Sequence, residues 1–203
     1  MTRVLVIDSA TETCSVALFD RGMLLSGNCV DLGRGHAERL VPMIADLPDR
    51  GRAARIMVNL GPGSFTGIRV GIAAARALGL AWGAHVGGYG CLDLVAAMAR
   101  AQSGGSDIDV VMTGGHGEWF FATYDAQGAV VAPLASLAPD AVIGLARAPI
   151  VAGSQAGAVA ARTGAHDLAI RPDARSFGLL DHAAWSPSVS PVYGRAPDAR
   201  LPG

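Results

Sequence analysis

The chain has 203 residues, of which 51% are hydrophobic and 16% are charged, and its formal net charge is −1. We expect a cytoplasmic protein without membrane contact, because no apolar run approaches the roughly 18 residues of a membrane-spanning helix and no signal-peptide pattern is present. The balanced charge argues against non-specific binding of nucleic acid.

The first 30 residues predict three antiparallel strands joined by tight turns. Residues 3–8 form an apolar run that ends in Asp8, residues 15–20 alternate with period two, and a turn at 21–22 leads into a third strand. Asp8 is a weak candidate for cofactor binding, because α/β sheets bind ligands at the carboxyl ends of their strands. A turn-forming or capping role for this side chain remains open.

A first amphipathic helix is predicted over residues 36–47. Its apolar side chains fall on one stripe at helical spacing: Leu40, Met43, Ile44 and Leu47. Pro42 lies inside this helix and predicts a kink. His36 has an apolar residue four positions later, so it lacks the spacing of a helical metal pair, and we expect it at the helix N-terminus or at the surface.

A glycine-rich turn at residues 61–71, GPGSFTGIRVG, joins a short apolar strand to a long alanine-rich helix. Gly61, Gly63 and Gly67 leave bare backbone near a helix N-terminus, which can hold an anion or press against another backbone segment. They are therefore weak cofactor-binding candidates. No Gly-Lys-Ser/Thr follows, which excludes a Walker phosphate loop. Ser64 and Thr66 are predicted to cap the helix, since no nucleophile elbow surrounds them.

The helix that follows, over residues 66–82, is apolar nearly all round. Such a helix must be covered on both sides, by the sheet on one and by a neighbouring helix or a partner chain on the other. An ordinary helix buried within the fold remains the alternative. Together with the stripe of the first helix, the following residues form the predicted interface set: Val70, Gly71, Ala74, Ala77, Leu78 and Ala81.

The second half of the chain begins a new series of strands after a Gly/Ser-rich segment at residues 102–106. We therefore divide the chain into domains 1–103 and 104–203. The glycine-rich loop at 114–118 is predicted to lie over a cleft between the two lobes. Strands are predicted at 109–112, 119–124, 128–131 and 150–153, and helices at 91–100, 140–145, 155–162 and 177–184.

Several of these segments resemble the TsaB family, accessory subunits of bacterial tRNA threonylcarbamoyladenosine synthesis. The resemblance covers residues 7–18, 36–46 and above all 61–71, with a weaker match at 191–195. It implies an α/β, two-lobed actin-like fold of the sugar-kinase and Hsp70 type. Each lobe would be a mixed sheet with flanking helices, and the second lobe would be reduced.

The resemblance also implies a scaffold without catalytic residues, cofactor or metal. The catalytic paralogue TsaD carries a His-x-x-x-His metal pair, and the matching positions here are Tyr89 and Asp93, which make a poor metal site. The interface set would bind TsaD, the ATPase TsaE would join the assembly, and tRNA would be contacted only indirectly. In isolation we expect the same apolar surface to form a homodimer.

One alternative function remains open at this point. An enzyme of the same fold could use Asp8 and the turn at 61–67 to bind a nucleotide and transfer phosphate. A protease is disfavoured, because the sequence shows no nucleophile paired with a base.

Overall fold

The computed structural model describes residues 3–194, which form two mixed β-sheets with helices packed against them. The strands are β1 (Arg3–Asp8), β2 (Thr13–Asp20), β3 (Met23–Asp31), β4 (Arg55–Asn59), β5 (His85–Tyr89), β6 (Ile108–Thr113), β7 (Trp119–Tyr124), β8 (Val130–Leu137), β9 (Ile150–Ala152), β10 (His166–Leu168) and β11 (Trp185–Ser186). The α-helices are α1 (His36–Ala45), α2 (Phe65–Trp82), α3 (Cys91–Ser103), α4 (Pro139–Leu145) and α5 (Ala156–Thr163). Arg195, the end of the last segment of family resemblance, lies outside the described residues.

The first sheet has six strands in the order β11-β5-β4-β1-β2-β3. The antiparallel meander predicted for the start of the chain is confirmed, since β1 pairs with β2 and β2 with β3 in antiparallel register. Strands β4 and β5 add in parallel beside β1. Helices α1 and α2 pack against each other and against this sheet, where their apolar side chains form one core cluster.

The second sheet has five strands in the order β10-β9-β6-β7-β8 and repeats this plan. Again an antiparallel meander, β6-β7-β8, is extended in parallel on its other side, here by β9 and β10. The expected fold of two lobes, each a mixed sheet with flanking helices, is therefore confirmed. Strand β10 was not predicted, because its residues, His-Asp-Leu, are largely polar and exposed and form no apolar run.

Helix α3 lies between the two sheets and contributes to the core of both. Leu94 and Ala97 pack with residues of the first sheet such as Val6. Leu92 and Val95, on another face of the helix, pack with the second sheet. The near-continuous burial of this helix follows from its position, because an α-helix covered on two sides needs apolar residues on both.

The prediction of a helix at 177–184 is wrong, and so is the assignment of that segment to the second lobe. The carboxylates of Asp173 and Asp181 each accept a bond from a backbone N–H two residues later and start separate 3-10 turns. Two capping aspartates divide the segment into short pieces, so no continuous helix forms. Strand β11 then pairs with β5. The chain thus returns to the first lobe at Arg171 and Pro172, which contact Asp31 of β3 and Thr13 of β2.

Among the described residues, no helix combines the length and the apolar character that crossing a membrane requires.

Candidate functional site

Asp8 lies at the carboxyl end of β1, as predicted, but it is completely buried. Its Oδ2 accepts bonds from Asn59 Nδ2 at 2.7 Å and from the Tyr89 hydroxyl at 3.1 Å, and its Oδ1 accepts one from the Ala10 N–H at 3.2 Å. Burial raises the pKa of this carboxyl group from 3.8 to about 6, although the three hydrogen bonds act in the opposite direction. The candidacy of Asp8 as a cofactor ligand is therefore wrong, because protein groups already surround its carboxylate.

A chain of hydrogen bonds connects Asp8 to the glycine-rich turn. Asn59, which donates to Asp8, accepts the Gly61 N–H through its Oδ1 at 2.8 Å. The Gly61 carbonyl in turn accepts the Cys91 N–H at the start of α3. Gly61 has a φ of 102°, a conformation that favours glycine. The start of the turn is thus held by the Asn59 side chain on one side and by the backbone of α3 on the other.

The glycines of this turn allow close contact between backbone segments. A Cβ added at Gly63 or at Gly67 would overlap the carbonyl oxygen of Ala10 or of Ser9, respectively, in the turn between β1 and β2. A Cβ at Gly61 would overlap the Val192 carbonyl oxygen. Of the two interpretations left open by the sequence, the contact with another backbone segment is the one that the structure supports. Only Gly63 of these three glycines lines the cavity described below.

The start of each predicted interface helix differs in part from expectation. Ser64 is the N-cap of α2, with its Oγ accepting the Gly67 N–H at 3.2 Å, as predicted. Thr66 is not a cap, because the helix already begins at Phe65. His36 is the first residue of α1, in agreement with the expected N-terminal position, but it is buried rather than at the surface, since α1 begins against the start of β2, where its Nε2 lies 3.3 Å from the Thr13 carbonyl oxygen.

The apolar stripe of α1 does not form part of an accessible interface. Leu40, Met43, Ile44 and Leu47 are at most 5% exposed and pack against the protein's own first sheet. Gly71 of α2 is also buried, facing Ser9 and Val58. These five members of the predicted interface set are buried within the fold instead. The reason is that the sheet beneath an amphipathic helix covers its single apolar stripe.

The other members of the interface set lie on the side of α2 away from the sheet. Ala77 and Ala81 are exposed, while Val70, Ala74 and Leu78 are half-buried at the margin of the core. Two apolar residues outside the predicted set are more exposed: Leu80, at 89%, and Val41 of α1, at 57%. In the sequence, each of these two residues could have been noticed as an apolar residue that lies outside the core-facing stripe of its helix. We call the following exposed residues the outer helix face: Val41, Ala73, Ala77, Leu80 and Ala81.

A cavity of about 780 Å³ opens between the two lobes. The first lobe contributes the turn after β1 and the start of α2, and the second contributes the end of β6 and the glycine-rich loop that follows. Gly114, Gly115 and His116 line this cavity, which confirms the predicted position of that loop. The Glu118 carboxylate points elsewhere and accepts a bond from the Ser136 hydroxyl at 2.6 Å.

The two positions matched to the metal pair of TsaD have structural partners here. The Tyr89 hydroxyl donates to Asp8, and the Asp93 carboxylate accepts a bond from the Tyr124 hydroxyl at 2.7 Å. Within residues 3–194, no three His, Cys, Asp or Glu side chains are grouped so as to hold a metal ion. The three cysteines are free thiols, and burial raises the pKa of Cys14 to about 11.

Comparison with known proteins gives concordant matches. The model of the family described as TsaD, tRNA N6-adenosine threonylcarbamoyltransferase, matches residues 31–179. The chain is 33% identical to the tRNA threonylcarbamoyladenosine biosynthesis protein TsaB of Escherichia coli over 60% of this chain and 54% of that protein. It is 31% identical to an uncharacterized protein of Mycobacterium tuberculosis over 98% of this chain and 95% of that protein.

A solved structure agrees with these relatives. YeaZ from Pseudomonas aeruginosa is 29% identical and superposes with a TM-score of 0.74, over 87% of this chain and 88% of that chain. The match to the Escherichia coli relative spans about half of that protein's length. The two lobes of mixed sheet with flanking helices are thus shared with a solved relative. The chain belongs to the TsaD family, and within that family it is a TsaB-type protein.

Proposed function

We propose that this chain is a non-catalytic subunit in the synthesis of threonylcarbamoyladenosine in tRNA, and that it binds the catalytic paralogue TsaD through the outer helix face. The names of its relatives support the pathway. In this proposal TsaE joins the assembly, tRNA is reached only through TsaD, and the protein works in the cytoplasm. The observation that carries the proposal is the exposed apolar surface on α1 and α2 of a TsaB-type chain.

The shape of the outer helix face suits a partner helix. Ala73, Ala77 and Ala81 follow one another at four-residue spacing, so a second helix can approach α2 closely. Leu80 stands beside them almost fully exposed, and its burial alone would contribute about 2 kcal/mol to binding. Arg76, the charged residue within this stretch of α2, is engaged elsewhere, since it donates to the Val189 carbonyl oxygen at 2.6 Å.

The non-catalytic part of the proposal rests on how the reactive side chains are used. Asp8, Tyr89 and Asp93 are all engaged in bonds that stabilise the fold. A phosphotransferase would need an acid that faces its nucleotide, and the burial of Asp8 removes the candidate on which that alternative depended. We therefore prefer the scaffold to the nucleotide-binding enzyme.

The test places a charge on the outer helix face. Ala77→Arg would force a guanidinium into a dry helix contact, so we expect the affinity for TsaD of the same organism to fall at least about tenfold. Ala161→Arg is the matched control, because Ala161 is also an exposed helical alanine but lies on α5 in the second lobe. Co-purification and calorimetry measure the effect.

The same variants test the proposed homodimer of the isolated chain. Light scattering should give a dimer for the unchanged protein and for Ala161→Arg, and a monomer for Ala77→Arg. If Ala77→Arg still co-purifies with TsaD at the yield of the unchanged protein, the proposed surface is wrong.

A further inference from the structure

Arg69 lies on the same side of α2 as the outer helix face, one turn before the first alanine of that face. Exposed residues follow one another at helical spacing from Arg69 through Ala73 to Leu80, so their side chains leave the helix in similar directions. With a rise of about 1.5 Å per residue, Arg69 and Leu80 are about 16 Å apart along the helix axis. On α2, the apolar outer helix face therefore has a guanidinium group at its N-terminal end.

Two aromatic rings hold the Arg69 side chain in place. Its guanidinium carbon lies 3.6 Å from the centroid of the Phe65 ring and 5.7 Å from that of the Tyr193 ring. The two rings stack on each other with centroids 5.1 Å apart, and the Arg69 Nε donates to the Tyr193 hydroxyl at 3.0 Å. An arginine that is already ordered in the free protein loses less conformational entropy when it binds a partner. Arg69 is thus preorganised for a contact.

The segment that carries Tyr193 is itself attached to the first lobe. The Val192 N–H donates to the Leu60 carbonyl oxygen at 2.7 Å. Three residues earlier, the Val189 carbonyl oxygen accepts a bond from Arg76 of α2. The backbone before Tyr193 therefore runs beside α2 and places the ring next to Arg69.

The positive charge of Arg69 has no acidic partner among the described residues. The ion pairs within residues 3–194 join Arg3 with Asp49, Arg171 with Asp31, and Arg175 with Asp173. Glu12 lines the same cavity as Arg69 but is not in an ion pair with it. Of the five N–H groups of this guanidinium, only the Nε–H bonds to a described residue. The planar fork formed by the other four is the arrangement that binds a carboxylate through two parallel hydrogen bonds.

We propose that Arg69 binds a carboxylate side chain of TsaD and thereby sets the register of the partner helix on the outer helix face. Charge complementarity selects an acidic group, because a cation at the end of an apolar row disfavours an apolar or basic neighbour. Ala73, Ala77 and Ala81 recur every four residues, so a partner helix shifted by one turn would meet a similar row. The pair at Arg69 penalises that shift. This inference rests on the proposed function, since both require TsaD to cover α2.

Arg69→Gln tests the charge, because glutamine keeps a polar side chain and removes the guanidinium. We expect the affinity for TsaD of the same organism to fall about tenfold. The dependence of that affinity on salt should also weaken, since one ionic contact is lost. Arg162→Gln is the matched control: Arg162 is also an exposed helical arginine outside these ion pairs, but it lies on α5 in the second lobe. Calorimetry at about 0.05 M and about 0.5 M salt measures both effects.

Arg69→Lys keeps the charge but loses the planar fork, so its affinity should lie between those of the unchanged protein and Arg69→Gln. If Arg69→Gln binds TsaD like the unchanged protein while Ala77→Arg binds more weakly, this inference is overturned and the proposed function stands. If neither variant weakens binding, the proposed surface fails as well. Equal losses in Arg69→Gln and Arg69→Lys, with the salt dependence unchanged, would assign Arg69 a purely structural role and overturn the inference.

Discussion

Asp8 makes the stability of the protein depend on pH in an unusual direction. Its pKa is raised to about 6 in the folded protein, against an ordinary value of 3.8, because burial disfavours the charged carboxylate. Between about pH 4 and 6 the folded form therefore binds more protons than the unfolded form, so the free energy of unfolding falls as the pH rises through this window. The difference between the two pKa values of Asp8 corresponds to a loss of about 3 kcal/mol in the free energy of unfolding at neutral pH.

Comparison with Asp8→Asn isolates this contribution, because the other titrating groups are common to both proteins. The unfolding free energy of the unchanged protein minus that of Asp8→Asn should decrease by about 3 kcal/mol from pH 4 to pH 7 and then stay level. Urea denaturation at a series of pH values measures it. A difference that is constant over the range, or that rises with pH, would contradict the burial of a titrating carboxylate at this position.

At the scale of single residues, the sequence predicted where side chains lie along the chain better than what surrounds them. Asp8 at a strand end and Ser64 as a helix cap both follow from local pattern, and both are observed. The partners of Asp8 do not follow from it, because Asn59 and Tyr89 are separated from Asp8 by 51 and 81 positions. The burial of His36 has the same origin, in a contact with a distant strand.

At the scale of elements, the glycine-rich turn and α2 are held against the turn after β1 by close backbone contact. Gly67→Ala should destabilise the protein by about 2 kcal/mol or more, since its Cβ would overlap the Ser9 carbonyl oxygen and force the helix away. This outweighs the gain of about 1 kcal/mol that alanine brings within a helix. Thermal unfolding measures the loss.

Gly144→Ala is the control for this substitution. Gly144 also lies in a helix, α4, but an added Cβ would meet no atom within 4 Å. The change should therefore leave stability unaltered or raise it slightly. If the two variants unfold at the same temperature, the close contact between α2 and the turn after β1 does not constrain the fold.

The two interface helices mark the limit of what periodicity can predict. The stripe from Leu40 to Leu47 was identified correctly as apolar, but periodicity alone does not distinguish burial against the chain's own sheet from burial against a partner. The outer helix face was missed in part because Val41 and Leu80 are single apolar residues outside a stripe. The elements that pack against a helix must therefore be known before its apolar side can be assigned to the core or to a partner interface.

At the scale of the whole molecule, the two lobes could be predicted because each begins with its own antiparallel meander. The return of the chain to the first lobe could not, because residues 174–186 form two short 3-10 turns and a two-residue strand, which show no periodic pattern. Their side chains nevertheless complete the first lobe's core. Phe177 packs against Phe19, Tyr89 and Trp185, with ring centroids 5.2 to 6.1 Å apart.

Phe177 therefore tests which lobe the C-terminal segment stabilises. Phe177 is 4% exposed, so Phe177→Ala should lower the free energy of unfolding by about 3–5 kcal/mol, whereas Phe65→Ala, at a ring that is 54% exposed, should cost about 1 kcal/mol or less. Hydrogen exchange locates the loss: the amides of β2 and β5 should exchange faster in Phe177→Ala, because Phe19 and Tyr89 lose their aromatic neighbour. Faster exchange confined to β6, β7 and β8 would instead assign this segment to the second lobe, and the boundary at residue 103 would then hold for the whole remainder of the chain.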